Sequence, residues 1–102
     1  MKVKEAIEII NRADHCYSLQ DAQDLLKGCP FIDRTKYSGY KWYIIATDIY
    51  RVEDGFIGVR GISDLKTRML DFSDCNIHCE AEEYKVVNTR SYVPVNSYES
   101  SN

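Results

Sequence analysis

One stretch near the middle of the chain, YKWYIIATDIYRVEDGFIGVRGI (residues 40–62), constrains the fold more than any other. Two runs rich in aromatic and β-branched residues flank Asp54-Gly55, the strongest short-range signal for a β-hairpin. With Asp54 and Gly55 as the turn, Val52 faces Ile57 and Tyr50 faces Val59. One sheet face then carries Trp42, Ile44, Ala46, Asp48 and Tyr50 with Ile57, Val59 and Gly61. The other carries Tyr43, Ile45, Thr47, Ile49 and Arg51 with Phe56, Gly58, Arg60 and Ile62. Both faces are apolar, whereas an antiparallel sheet with one wet side alternates cleanly. Both therefore need cover: helices on one, and on the other the segment 63–76, a curling sheet edge or another subunit.

The helices come first in the chain. Val3, Ala6, Ile7, Ile10 and Ala13 recur at helical spacing, and Glu8 sits four residues before Arg12 as a favourable pair. Ser18 is a good N-cap with Asp21 three residues on, and Leu19, Ala22, Leu25 and Leu26 form an apolar stripe. Lys27, Gly28 and Pro30 then supply a basic last turn, a left-handed stop and a breaker. Residues 29–39 have no clear period and read as a connection. The segment SDLKTRMLDFSDCN (63–76) fits a short strand or a single helical turn. IHCEAEEYKVV (77–87) reads as a third long strand, and TRSYVPV (89–95) as an edge strand, because Pro94 lacks the donor that a central strand needs.

The expected fold is α+β: two N-terminal helices on an antiparallel meander of about three to four strands, a curl of the sheet being one of the ways to cover its second face. Residues 1–95 read as a single domain and 96–102 as a polar tail. The order helix, helix, meander resembles cystatin-like and related α+β-roll architectures. That likeness is topological, covers no diagnostic residue and carries no site with it.

A net charge of −3 speaks against a nucleic-acid partner, since phosphate binding calls for a basic excess. No apolar run approaches the roughly 18 residues that span a bilayer, and MKVKEAIEII lacks the apolar core of a secretory signal. The expectation is a cytoplasmic protein, with no membrane contact, whose four cysteines are thiols.

CNIHCEAEEY (75–84) has the composition of a metal site. Strand periodicity separates it: Ile77, Cys79, Ala81 and Glu83 point one way, and His78, Glu80, Glu82 and Tyr84 the other. His78 and Cys79 then cannot share an ion; Cys79 is expected inside, His78 outside, with no metal and no cofactor. The zinc alternative pairs His78 or Cys79 with Cys75 and draws His15 or Cys16 from the helical layer. A Cys–His nucleophile at His15-Cys16 or Cys75…His78 has no third orienting group. Glu80, Glu82 and Glu83 read as solvated charge. GVRG matches the loop of KH domains in letters but lies in a strand, so Gly58 and Gly61 read as places where a bulky neighbour such as Trp42 or Tyr50 comes close.

Aromatic load is the least ordinary feature, with eight tyrosines and one tryptophan. Tyr, Trp and Arg dominate interface hot spots. The leading expectation is a non-enzymatic interaction, regulatory or inhibitor domain that meets a protein partner or a second copy through Tyr43, Arg51, Phe56 and Arg60. The alternative is a small-ligand or enzymatic pocket between curled sheet and helices, built on Asp48 and a tyrosine hydroxyl such as that of Tyr50. Asp48 is unusual on an otherwise apolar face.

Overall fold

A computed structural model describes residues 1–88 and 91–95, with the side chain of Asn88 left out. Residues 89, 90 and 96–102, including the expected polar tail, lie outside the described part. The elements run α1 (Val3–Arg12), α2 (Leu19–Leu25), β1 (Phe31–Gly39), β2 (Tyr43–Val52), β3 (Gly55–Leu65), a 3₁₀ turn (Phe72–Cys75), β4 (Glu80–Asn88) and β5 (Ser91–Pro94). The strands form one antiparallel sheet in the order β1-β2-β3-β4-β5, an unbroken meander. It curls into a half-barrel beneath the two helices, as α+β patterning anticipates.

There are five strands where three to four were expected, and the additional one is β1. Its residues are exposed or half-buried throughout, so no alternation marks it. Two irregularities, between Phe31 and Asp33 and between Thr35 and Ser38, break its period again. Lys36 stands at the second with a φ of +56°. An edge strand with bulges and a lysine is poorly disposed to pair further, and equally poorly disposed to be read from sequence.

The central hairpin forms with its turn displaced. Val52 pairs with Gly55, Arg51 with Phe56 and Tyr50 with Ile57, so Glu53 and Asp54 are the turn residues. This register differs by two residues from that of an Asp-Gly turn, and a shift of two leaves every side chain on its expected face. The Asp54 carboxylate explains the preference: its Oδ1 accepts the Val3 N–H at 2.7 Å, closing the start of α1 from outside the helix. A free N–H at a helix start is satisfied by a neighbouring turn rather than by its own cap residue.

α1 packs on β3 and β4, and α2 on β3. Val3, Ala6, Ile10, Cys16, Leu19, Ala22 and Leu26 join Ala46, Tyr50, Val52, Ile57, Val59, Cys79 and Ala81 in the main core. The α2 cap is the expected reciprocal one: Ser18 Oγ accepts the Asp21 N–H and Asp21 Oδ2 accepts the Ser18 N–H, both at 3.1 Å. Asn11 ties α1 to β4, donating to Ala81 O at 3.0 Å and accepting the Ala81 N–H at 2.7 Å.

The opposite face is buried as well. Ile45, Thr47, Ile49, Ile62 and Tyr84 are all enclosed, although no helix lies there. Tyr84, based on β4, lays its ring across Gly58 of β3, where a Cβ would stand 2.3 Å from a ring carbon. Lys36 reaches from β1 to within 5.0 Å of the same ring. The two side chains meet above the middle strands and shelter the Gly58–Ile49 pair. Gly61 faces the helical layer, where Cys79 Sγ would lie 2.6 Å from a Cβ. Both glycines thus permit close approach, as expected, but by Tyr84 and Cys79 rather than by Trp42 or Tyr50.

Candidate functional site

The residues singled out from sequence separate into three places. Arg51 and Phe56 are direct cross-strand partners, with the guanidinium 5.5 Å from the ring centre. Phe56 also meets Tyr92 edge-on at 5.1 Å. Arg60 projects from the same face, four residues along β3 from Phe56, opposite Glu80. Tyr43 starts β2, eight residues before Arg51, or roughly 26 Å along an extended strand. One contact therefore does not join all four unless it runs the length of the sheet.

Asp48 and Tyr50 lie inside the helical face. Asp48 is wholly enclosed and takes two hydrogen bonds from Arg34, Nε to Oδ1 at 2.6 Å and Nη2 to Oδ2 at 3.0 Å. Burial pushes its carboxyl above the usual carboxylate range, and Arg34 pulls in the opposite direction. Among the described residues the Tyr50 hydroxyl is the buried side-chain polar atom without a hydrogen-bond partner. Burial and the Asp48 charge both push that phenol up. Sequence gave no sign of Arg34, which came from a segment read as a connection.

Three aromatic residues, Tyr40, Trp42 and Tyr43, stand together at the β1–β2 turn end of the sheet. Tyr40 stacks on Tyr43 at 5.2 Å, and Lys41 lies 4.8 Å from the Trp42 ring. Trp42 was expected on the helix-facing side of a strand. Instead β2 begins one residue later, so Trp42 sits in the β1–β2 turn and is 47% exposed. Met69 is 90% exposed. Trp42, Thr67, Met69 and Leu70 line a cleft of about 370 Å³. Tyr37, on β1, is exposed as well. Met69 and Leu70 are large apolar side chains in the turn-rich segment 63–76, and that contrast is the signal the sequence offers for this place.

The third place is where the loop between the helices meets the start of β4. Residues Cys16 to Ser18 run beside the end of β3, with the Ile62 N–H on Tyr17 O at 3.4 Å. The Cys79 N–H donates to Cys16 O at 2.7 Å. Cys79 is enclosed, as expected, with Sγ 3.3 Å from Ser18 O. His78 departs from expectation. β4 begins only at Glu80, so residues 78 and 79 are not bound to opposite sheet faces, and His78 turns in under the end of α1. Its Nε2 lies 2.6 Å from Ala13 O and its Nδ1 2.6 Å from Cys79 O. Two carbonyl acceptors against two ring nitrogens favour the doubly protonated ring, and the imidazole is accordingly held above its ordinary value, first by the Ala13 carbonyl. Tyr17 packs edge-on against His78 at 6.1 Å.

Among the described residues no three His, Cys, Asp or Glu side chains stand close enough to hold a metal ion. All four cysteines are free thiols. No described helix is long and apolar enough to cross a membrane. Neither a family model, nor a curated protein, nor a solved structure matches this chain.

Proposed function

We propose that this protein is a non-enzymatic interaction domain that receives apolar side chains of a protein partner at the aromatic end of its sheet. The observation that carries this reading is the pair Trp42 and Met69, 47% and 90% exposed, on a cleft of about 370 Å³. Large apolar side chains grouped on a surface mark contact sites, and aromatic residues and Met are enriched in interface cores. Tyr43, stacked beneath Tyr40, belongs to this end. Arg51, Phe56 and Arg60 form a second strip toward the other end of the sheet, available to the same partner or to a second copy. The net charge of −3 fits a protein partner better than a nucleic acid, and free thiols fit a reducing cytoplasm.

The test is capture from native lysate by the wild type and by Trp42→Ala, Met69→Ser and Arg60→Ala variants, with solution mass measured alongside. Loss of the same captured protein, or of a dimer, in Trp42→Ala and Met69→Ser is the expected result. A monomer that captures nothing, or capture that Trp42→Ala leaves intact, sinks the proposal. Dependence on Arg60 alone moves the contact to the second strip.

A further inference from the structure

We propose that Cys16 and Cys79 are an oxidisable dithiol, a modification site at which a small peroxide joins the α1–α2 connection to the start of β4 through an intramolecular disulfide. The backbone hydrogen bond from Cys79 N–H to Cys16 O, at 2.7 Å, carries the geometry. The path Cα–C=O···N–Cα limits the separation of the two α-carbons to roughly 6.5 Å, inside the span that a disulfide bridges. Both side chains turn into the same buried layer: Cys16 and Cys79 are 1% and 0% exposed and belong to one core cluster. Each thiol acts on the ionisation of the other.

Both thiols are enclosed, so a peroxide reaches them when the α1–α2 connection lifts transiently from the start of β4. Clefts of about 250 Å³, walled by Cys16 with Asp14, His15, Asp21, Asp24 and Leu25, and about 590 Å³, walled by Cys79 with Asn11 and His78, stand on either side of the contact.

The surroundings assign the order of events. The Cys79 thiol, whose sulfur lies 3.3 Å from Ser18 O, and the His78 ring both favour a Cys16 thiolate. Together they bring Cys16 below the ordinary thiol value, against burial and the Asp21 carboxylate. Cys79 is pushed up by the same contact and by burial. Cys16 is therefore the attacking sulfur. Its thiolate takes the near oxygen of the peroxide, the O–O bond breaks, and the far oxygen leaves with a proton as water or alcohol. The Cys79 sulfur then attacks the Cys16 sulfenic acid; the S–O bond breaks, and water departs with the Cys79 proton. Two thiols and one peroxide become one disulfide, one water and one water or alcohol, each sulfur giving up one electron.

Cys29 and Cys75 are internal controls. Both are half-buried, Cys29 near Met1 Sδ at 3.8 Å and Cys75 near Asp71 O at 4.0 Å. The experiment treats fully reduced, folded protein with a small excess of hydrogen peroxide, alkylates the remaining thiols and maps the peptides by mass. Two of the four thiols should be lost to alkylation, as a Cys16–Cys79 linked peptide that a dithiol reductant reverses. In Cys79→Ser, a dimedone adduct should appear at Cys16 instead. Disulfides that use Cys29 or Cys75, or oxidation of those two while Cys16 and Cys79 stay reduced, would overturn the proposal. The wild-type map decides the matter even where the serine variant fails to fold.

Discussion

Arg34 of β1 and Asp48 of β2 stand directly opposite each other and are joined by two parallel hydrogen bonds in a place where Asp48 has no contact with solvent. Removing a carboxylate from water costs several kcal/mol, and a planar guanidinium gripping both oxygens is the arrangement best able to offset it. The two groups persist together or not at all.

Arg34→Met should therefore destabilise the fold by about 3 kcal/mol, the lower end for a broken buried pair because Arg34 is itself part-exposed. Arg34→Lys should recover only part, lacking the fork. Asp48 has a folded-state pKa above its unfolded value, so the folded state binds that proton more tightly and stability falls as pH rises between the two. Without Arg34 the window widens upward. The Arg34→Met deficit should be smallest in acid and grow toward neutrality in denaturant titrations run across pH. A deficit that is flat with pH would show that Asp48 is not the group left stranded.

Gly58→Ala should cost about 1–3 kcal/mol, because its Cβ would collide with the Tyr84 ring. On a Tyr84→Leu background the same substitution should cost measurably less, and the double-mutant cycle reports the difference. Additive losses would mean that the ring does not lie over Gly58.

Tyr50→Phe should leave stability unchanged or raise it by about 1 kcal/mol, since a buried hydroxyl with no partner is a standing cost. Thermal unfolding measures this directly. A clear loss would show that the hydroxyl holds a water or ligand, and would favour the pocket reading of Asp48 and Tyr50.

His78 carries a pH signature of the opposite residue type and the same direction. Its folded-state pKa is raised, so its contribution is fully present below the unfolded value of about 6.5 and disappears as pH rises through the folded one. The unfolding midpoint of the wild type should drift downward across that interval, and His78→Ala should abolish the drift. Imidazole resonances that titrate at or below the ordinary value would refute the two-acceptor geometry.

Legibility in the sequence followed physical contrast. The Ser18 cap and the helical stripes were visible because a cap and a period each use a specific residue at a specific spacing. Sheet faces survived a two-residue error in the turn, since parity alone assigns them. β1 was invisible: an edge strand exposed on both sides gives hydrophobicity nothing to alternate against. For the same reason Arg34 could not be matched to Asp48, whose oddity on an apolar face was nonetheless plain. His78 was misplaced by carrying strand period two residues beyond the start of β4. The Cys16–Cys79 contact joins segments far apart in the chain, and no local pattern encodes it.

The unbroken burial of β2 from Ile45 to Tyr50 has a consequence for how the strands find their alignment. A strand that is apolar on both sides loses little by sliding one residue along its neighbours, because each face remains greasy after the slip. Hydrophobicity supplies the adhesion here and almost no alignment. Alignment has to come from residues that tolerate a single position: Asp48, which needs Arg34 across from it; Gly58, which alone leaves room for Tyr84; and Gly61, which alone leaves room for Cys79. These few notches set the strands as wards set a key, and their loss should yield slipped, mispaired chains before it yields unfolded ones.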